Sequence, residues 1–183
     1  MAKWFVTAKR ADFTKIGETF GISPVLARII RNRDIIEEEE IRKYLQGTIE
    51  DMYDPGLLKD MDRTVEILLD KISRRKPIRI IGDYDADGIC STFILHKGLL
   101  QAGAAADTAI PHRMKDGYGL NEHLVEDAFQ SGIDTIITCD NGIAAEPQIR
   151  LAKEKGMTVI VTDHHEVPYE ETDGERKYIL PPA

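Results

Sequence analysis

The sequence has little cysteine and no long apolar segment. Its only two cysteines, Cys90 and Cys139, are too few for a disulfide framework and form no CxxC pair. No apolar run approaches the roughly 18 residues that a membrane span needs. The first ten residues lack the apolar core of a secretory signal. We therefore expect a protein of the reducing cytoplasm that has no membrane partner.

Positive charge is also scarce. The 183 residues include 24 Lys and Arg against 32 Asp and Glu, a formal net charge of −8. This balance argues against a protein that coats nucleic acid by bulk electrostatics. It leaves a metal-dependent nuclease open, because acids that cluster at a metal site are offset by the ions they bind. With 42% hydrophobic and 31% charged residues, the chain has the composition of a globular protein with one sizeable core.

The hydrophobic pattern divides the chain into a helical part, residues 1–74, and an α/β part, residues 75–183. In the first part, apolar residues recur at helical spacing, and capping residues mark the helix starts. The pattern predicts helices over 13–21, 23–33, 37–47 and 64–76. In the second part, apolar strands at 78–81, 107–111, 133–142 and 157–166 alternate with helical segments. Such alternation predicts a mostly parallel sheet with helices on both faces.

Three acids follow the first strand of the α/β part at every second position. They are Asp83, Asp85 and Asp87, within the segment DYDADG. In an extended backbone, alternate residues point to one side, so the three carboxylates are expected to converge. Anions held so close repel one another unless a cation lies among them, and a divalent ion with oxygen ligands fits. A plain turn explains the same residues equally well, because Asp and Gly favour turns.

The ends of two further strands favour the metal interpretation. Asp140 ends the strand at 133–142, and Asp163, His164 and His165 end the strand at 157–166. The carboxyl ends of parallel strands gather at one edge of a sheet, so these residues should lie near the first three acids. Carboxylates mixed with imidazoles suit Mn²⁺ or Mg²⁺, whereas a structural zinc favours thiolates. Seven potential ligands suggest two ions about 3.5–4 Å apart, an arrangement that hydrolyses phosphoesters.

The side chains around these strand ends allow more specific expectations. From an extended backbone, the adjacent His164 and His165 cannot both point to one spot. One is then a direct ligand, and the other reaches a second ion or the scissile phosphate, or is only a hydrogen-bonded loop residue. Cys139 should point away from Asp140 into the core. In the segment PHRMKDGYGLN, the candidate phosphate contacts are His112, Arg113 and Lys115.

The motifs DYDADG, TCDNGI and TDHHE, in this order and spacing, resemble those of the DHH phosphoesterase superfamily. PHRMKDGYGLN and the helical lead-in with DPGLLKDM resemble its RecJ branch of single-strand-specific 5′→3′ DNA exonucleases. This resemblance implies a centre with two Mn²⁺ or Mg²⁺ ions that removes 5′-nucleotides from single-stranded DNA in repair and recombination.

By the same resemblance, the motif residues take individual roles. Asp85 and Asp87 are implied to be metal ligands with Asp83 beside them, and Asp140 is implied to bridge the ions. Asp163 and His164 belong to the DHH motif, and His165 is a ligand or contacts the phosphate. Arg113 is implied to bind the DNA backbone. The catalytic set is therefore expected to be Asp85, Asp87, Asp140, His164 and His165.

The sequence departs from the family pattern in two ways. Many members have a histidine where this chain has Ile81, which leaves the first ion one ligand short unless Asp83 or water replaces it. The chain also ends at ILPPA, where relatives continue into a further metal-binding acid and additional domains. We therefore expect an N-terminal part of a longer enzyme, with weak metal binding and little or no exonuclease activity alone.

Three other functions compete with this interpretation. One is a different DHH hydrolase that acts on oligoribonucleotides, cyclic dinucleotides or pyrophosphate. The second is a non-catalytic DHH-like scaffold that binds DNA or partners, although such a protein should have eroded ligands. The third, a plain nucleotide-binding module, is the weakest, because no GxGxxG fingerprint follows a strand.

Overall fold

A computed structural model describes residue 3, residues 9–172 and residues 174–183. The chain forms two compact units, Met1–Lys59 and Asp60–Ala183. In the described part of the chain, no helix is long and apolar enough to cross a membrane.

The first unit is helical, as its periodicity predicts. Ser23 caps the second helix by accepting a hydrogen bond from the Leu26 N–H, and Pro24 occupies the first helical position. Glu37 and Glu40 form a capping box at the start of the third. The helices are α1 (Phe13–Phe20), α2 (Pro24–Asn32) and α3 (Glu38–Gln46), followed by short 3₁₀ turns at Ile49–Asp51 and Pro55–Leu57.

The second unit alternates helices and strands and ends in a hairpin. Its elements are α4 (Met61–Ser73), β1 (Ile78–Ile81), α5 (Ala86–Gln101), β2 (Ala106–Ala109), α6 (Glu122–Gln130), β3 (Thr135–Cys139), α7 (Glu146–Glu154), β4 (Thr158–Thr162), β5 (Tyr169–Thr172) and β6 (Glu175–Tyr178). The division between units precedes α4, whereas the sequence pattern suggested a boundary after residue 74. Helix α4 belongs with the sheet because Ile67, Leu68 and Ile72 pack against its core.

Four strands form one parallel sheet in the order β2-β1-β3-β4. Ile78 of β1 is in register with Ala106 of β2 and Thr135 of β3, and Thr135 is in register with Thr158 of β4. All four strands therefore end at the same edge, which confirms the predicted parallel α/β architecture. Strands β5 and β6 pair separately as an antiparallel hairpin. Every residue of these two strands is exposed, so the sequence has no alternation of apolar and polar residues that would predict them.

Apolar side chains alternate between the two faces of the sheet, and each face is covered by helices. One core joins the sheet to α4 and α5, and the other joins it to α6 and α7. The prediction of helices on both faces is confirmed. Cys139 is buried in the first core, with its Sγ 3.3 Å from Thr92 Oγ1, as expected from its position before Asp140.

Strands β3 and β4 end earlier than the sequence indicates. β3 stops at Cys139 because Asp140 adopts a left-handed backbone with φ of 60°, which breaks the extended conformation. β4 stops at Thr162. β3 thus ends one residue before Asp140, where the sequence pattern placed its end, and Asp140, Asp163, His164 and His165 lie in loops beyond the strand ends.

Candidate metal centre

The three alternating acids after β1 do not lie on an extended backbone, so the geometric reason for their convergence is wrong. Helix α5 begins at Ala86. Asp85 is its N-cap, and its Oδ1 accepts a hydrogen bond from the Gly88 N–H at 2.9 Å. Asp87 lies in the first helical turn. Because the helix starts between them, the three acids do not share one side of the backbone, and each has different contacts.

Asp83 is fully buried beneath the loops. Its Oδ1 accepts a hydrogen bond from the Gly119 N–H at 3.3 Å, whereas Oδ2 is buried without a hydrogen-bond partner among the described residues. The first turn of α5 packs directly over it, because a Cβ on Gly88 would lie 2.5 Å from the Asp83 carbonyl oxygen. A buried carboxylate oxygen without a partner is costly, so this edge of the sheet suits a nearby cation.

The loops after β3 and β4 bring three metal-binding side chains together. Asp140, His164 and His165 each offer a ligand atom, and these atoms lie within 4.8 Å of one another. Nε2 of His164 is 2.8 Å from Asp140 Oδ1, and the two imidazole rings have centroids 4.7 Å apart. The expectation that only one histidine could reach the spot is wrong, because the residues follow the end of β4 and are not extended.

Asp163 points into its own loop. Its carboxylate accepts hydrogen bonds from the N–H groups of Ile143 (2.9 Å), His164 (2.8 Å) and His165 (3.1 Å), and its Oδ1 is 2.7 Å from His165 Nδ1. The side chain is only 3% exposed. Asp163 therefore connects the loop that follows β4 to the loop that precedes α7. It also fixes the ring of His165, so that Nε2 of His165 is directed toward the cluster.

The local environment shifts the pKa values of the cluster in different directions. Burial raises the pKa of Asp140. The hydrogen bond from the Gly88 N–H lowers the pKa of Asp85. For Asp163, burial acts upward, but the hydrogen bonds from the Ile143 N–H and from His165 outweigh it and lower the pKa. The bond to Asp163 raises the pKa of His165. The pKa values of Asp85 and Asp163 are thus lowered, whereas those of Asp140 and His165 are raised.

The cluster borders an open depression of about 420 Å³ at the edge of the sheet. Asp87 reaches this depression from α5, so it shares the space with Asp140 and His164 although its own loop is not extended. The lining residues are Asp87, Ser91, Cys139, Asp140, Thr162, Asp163 and His164. Carboxylates and imidazoles around a space of this size form a donor set that fits Mn²⁺ or Mg²⁺.

The candidate phosphate contacts lie on an exposed turn before α6. The guanidinium of Arg113 lies over the ring of Tyr84, 5.1 Å from its centroid. His112 stabilises the turn: its N–H donates to Asp116 Oδ2 at 2.7 Å, and its Nδ1 accepts from the Met114 N–H at 3.2 Å. Lys115 is exposed, and its N–H donates to the His112 carbonyl. Through Tyr84, Arg113 contacts the loop that carries Asp83 and Asp85.

Sequence reasoning missed two residues of the site. Asn141 is buried; its Nδ2 donates to the carbonyls of Ile81 (3.0 Å) and Cys139 (2.9 Å), and its Oδ1 accepts from the Leu120 N–H (3.1 Å). It therefore ties the ends of β1 and β3 to the GYGL loop. An Asn-Gly pair after a strand is also typical of an ordinary turn, so the sequence does not indicate that Asn141 holds these loops together.

Tyr118 is the second missed residue. Its hydroxyl donates to the Asp140 carbonyl at 3.0 Å and lies 3.1 Å from His165 Nε2. Burial of this end, followed by the negative charge of the carboxylates, Asp83 foremost, raises its pKa to about 12. Sequence reasoning selected only the basic residues of this loop, because a tyrosine between two glycines has no pattern that indicates such contacts.

The fold and the site define a parallel α/β domain with a carboxylate–imidazole centre at the carboxyl edge of its sheet. The family model described as "DHH family, N-terminal domain" matches residues 77–183. The chain belongs to the DHH family, and the resemblance seen in its motifs is confirmed.

Similar proteins narrow the comparison within the family. The single-stranded-DNA-specific exonuclease RecJ of Bacillus subtilis is 38% identical over 165 residues, which are 90% of this chain and 21% of that protein. RecJ of Haemophilus influenzae is 35% identical over 154 residues, which are 84% of this chain and 26% of that protein. The chain thus spans about a fifth to a quarter of the length of these relatives.

Solved structures agree with this placement. An exonuclease RecJ bound to manganese shares 36% identity with a TM-score of 0.59, over 68% of this chain and 30% of that one. RecJ of Thermus thermophilus in complex with Mn²⁺ shares 26% identity with a TM-score of 0.61, over 93% of this chain and 22% of that one.

Proposed function

We propose that residues 77–183 form the metal-holding part of a phosphodiester hydrolase that acts on single-stranded DNA. The observation that carries this proposal is the convergence of Asp140, His164 and His165 within 4.8 Å at the carboxyl edge of the sheet. Relatives named as single-stranded-DNA-specific exonucleases support the substrate. A 5′→3′ polarity and a place in cytoplasmic DNA repair and recombination follow from the family resemblance and belong to the same proposal.

The donor set supports Mn²⁺ or Mg²⁺ as the ions, in agreement with the manganese in the similar RecJ structures. We assign Asp140, His164 and His165 as ligands, with Asp85 and Asp87 completing a site for two ions. When bound, such ions supply a water of lowered pKa and stabilise the leaving oxygen. Asp83 and Asp163 accept hydrogen bonds from loop N–H groups, so we assign them to holding the loops.

The other residues of the site position the substrate. Arg113 is exposed, and its guanidinium suits a phosphate oxygen of the DNA backbone. Its contact with Tyr84 places it beside the loop that carries Asp85. Lys115 and His112 on the same turn add donors to the approach of the strand. Asp163 holds His165 in one orientation, so the imidazole need not reorganise when the phosphate arrives.

Metal binding is the direct test. Titration of the 183-residue chain with Mn²⁺, followed by electron paramagnetic resonance, should show binding that His164→Gln weakens about tenfold. His123→Gln is the matched control, because the His123 side chain is 77% exposed and lies outside the cluster. Equal Mn²⁺ affinity in all three proteins would exclude His164 as a ligand and remove the basis of the proposal.

Hydrolysis is the second test. We expect the isolated chain to digest a 5′-ended single strand weakly or not at all, because only three of the five proposed ligands lie within 4.8 Å of one another. Parallel assays on long single-stranded DNA and on a dinucleotide separate the exonuclease from a DHH hydrolase of small substrates. Rapid Mn²⁺-dependent digestion by this chain would contradict the expected weakness.

A further inference from the structure

The ring of Tyr118 is fixed in place but remains half exposed. Its hydroxyl is held by the Asp140 carbonyl and lies against His165 Nε2, at 3.0 and 3.1 Å. Tyr84 and His165 make edge-to-face contacts with the ring, at centroid distances of 6.2 and 5.8 Å and interplanar angles of 88° and 82°. Even so, 51% of Tyr118 is accessible to solvent.

The contact with His165 uses only the hydroxyl group of Tyr118 and does not require an exposed ring. An aromatic ring that is already immobilised loses little entropy when a flat ligand covers it. Every nucleobase has a face that can stack on such a ring, whatever the base sequence. The exposed surface of Tyr118 is therefore suited to a base.

The surroundings of the ring match the remaining parts of a nucleotide. Through its hydroxyl, Tyr118 adjoins Asp140 and His165, where we place the metal ligands. Through Tyr84 it adjoins the cationic group of Arg113, which lies 5.1 Å from the Tyr84 ring centroid. An aromatic surface thus lies between a metal-binding cluster and a guanidinium, both of which interact with phosphate.

We propose that Tyr118, supported by Tyr84, is a stacking platform for one of the two bases that flank the phosphate to be hydrolysed. This inference rests on the proposed function and adds a reason for the preference for single strands. A base within a duplex is covered on both faces by its neighbours, so it must be unstacked before it can lie on Tyr118. A base of a flexible single strand meets little of that cost.

The test compares two variants of Tyr118 on strands with and without a base. The probe is a 5′-phosphorylated, 3′-fluorescein-labelled thymidine dodecamer, bound in the presence of Ca²⁺ and measured by anisotropy. Matched dodecamers carry one abasic residue at either of the two nucleotides beside the first phosphodiester. We expect Tyr118→Leu to weaken binding of the intact strand about tenfold, equivalent to about 1.4 kcal/mol, and to leave binding unchanged for one abasic strand. Tyr118→Phe, which keeps the ring, should bind the intact strand like the parent chain.

Tyr53→Leu is the control, because Tyr53 is 84% exposed and belongs to the first unit. Equal losses in Tyr118→Leu and Tyr118→Phe, on intact and abasic strands alike, would overturn the platform and assign Tyr118 to orienting His165 only. Equal binding of intact and abasic strands by the parent chain would also overturn it. In either case, Mn²⁺ binding at the cluster would leave the proposed function intact, whereas loss of Mn²⁺ binding would count against that function.

Discussion

The loop after β1 and the loops after β3 and β4 both carry acids at the same edge of the sheet, but they present them differently. After β1, Asp83 is fully buried with its backbone against the first turn of α5, and Asp85 caps that helix. After β3 and β4, the side chains of Asp140, His164 and His165 converge within 4.8 Å. The acids at this edge therefore differ in geometry, because Asp83 lies beneath the loops whereas Asp140 faces two imidazoles. In our proposal, Asp83 holds the loops and Asp140 binds an ion.

The packing of α5 over Asp83 should give the largest effect when it is broken. Gly88→Ala places a Cβ 2.5 Å from the Asp83 carbonyl oxygen, so the helix start must shift. We expect a loss of about 3 kcal/mol in the free energy of unfolding, measured by urea denaturation and circular dichroism. Gly98→Ala is the matched control in the same helix, because its Cβ would meet nothing within 4 Å. That change should stabilise the chain by about 0.5–1 kcal/mol, and equal effects at both glycines would refute the close packing.

Removing the side chain of Asn141 tests the framework from the β3 side. Asn141→Ala leaves the carbonyls of Ile81 and Cys139 and the Leu120 N–H without their buried partner. We expect a loss of about 2 kcal/mol in the free energy of unfolding. Asn121→Ala removes the capping bond to the Leu124 N–H and a longer bond, 3.5 Å, to the Asp116 carbonyl, and should cost about 1 kcal/mol. A cost at Asn141 no greater than at Asn121 would show that the strand ends do not depend on this residue.

The converging side chains should affect ion binding more than stability. Asp140→Asn removes one of the three clustered donors, so we expect the dissociation constant for Mn²⁺ to rise about tenfold, which is about 1.4 kcal/mol. Isothermal titration calorimetry measures this change. Asp70→Asn, on the exposed side of α4, is the control and should bind Mn²⁺ like the parent chain. An unchanged constant in Asp140→Asn would place the ion elsewhere.

The smallest effect should be a pH dependence in the metal-free chain. The bond to Asp163 raises the pKa of folded His165 above its unfolded value. This interaction contributes fully below the unfolded pKa and is lost as the pH rises through the folded pKa. Because the His165 side chain is 45% exposed, we expect only about 0.3 kcal/mol between pH 6 and pH 8. His165→Gln should abolish this pH dependence of the free energy of unfolding in urea titrations. A pH dependence that persists in His165→Gln and disappears in His123→Gln would contradict its assignment to His165.

The sequence predicts the parallel sheet and its functional edge well, because both depend on patterns that repeat along the chain. Apolar strands alternate with helices, and three of the strands are followed by acids or imidazoles. The conformation of each loop is not encoded in such a pattern. The cap at Asp85, the left-handed backbone at Asp140 and the hydrogen bonds of Asp163 depend on N–H groups that only the folded chain brings near.

The histidine pair shows the same limit. An extended backbone would separate His164 from His165, and the early end of β4 brings both to Asp140 instead. Asn141 and Tyr118 were missed because most of their partners lie far away in sequence. Residues that act through distant contacts leave no local pattern in the sequence.

Anomalous scattering from crystals soaked in Mn²⁺ tests the central claim most directly. We expect a peak within bonding distance of Asp140 and His164, and a second peak within reach of Asp85 at high Mn²⁺ concentration. The carboxylate of Asp83 should remain hydrogen-bonded to the Gly119 N–H and contact neither peak. Peaks only at other surface carboxylates, or a peak coordinated by Asp83 in place of Asp140, would contradict the division between acids that hold the loops and acids that bind the ion.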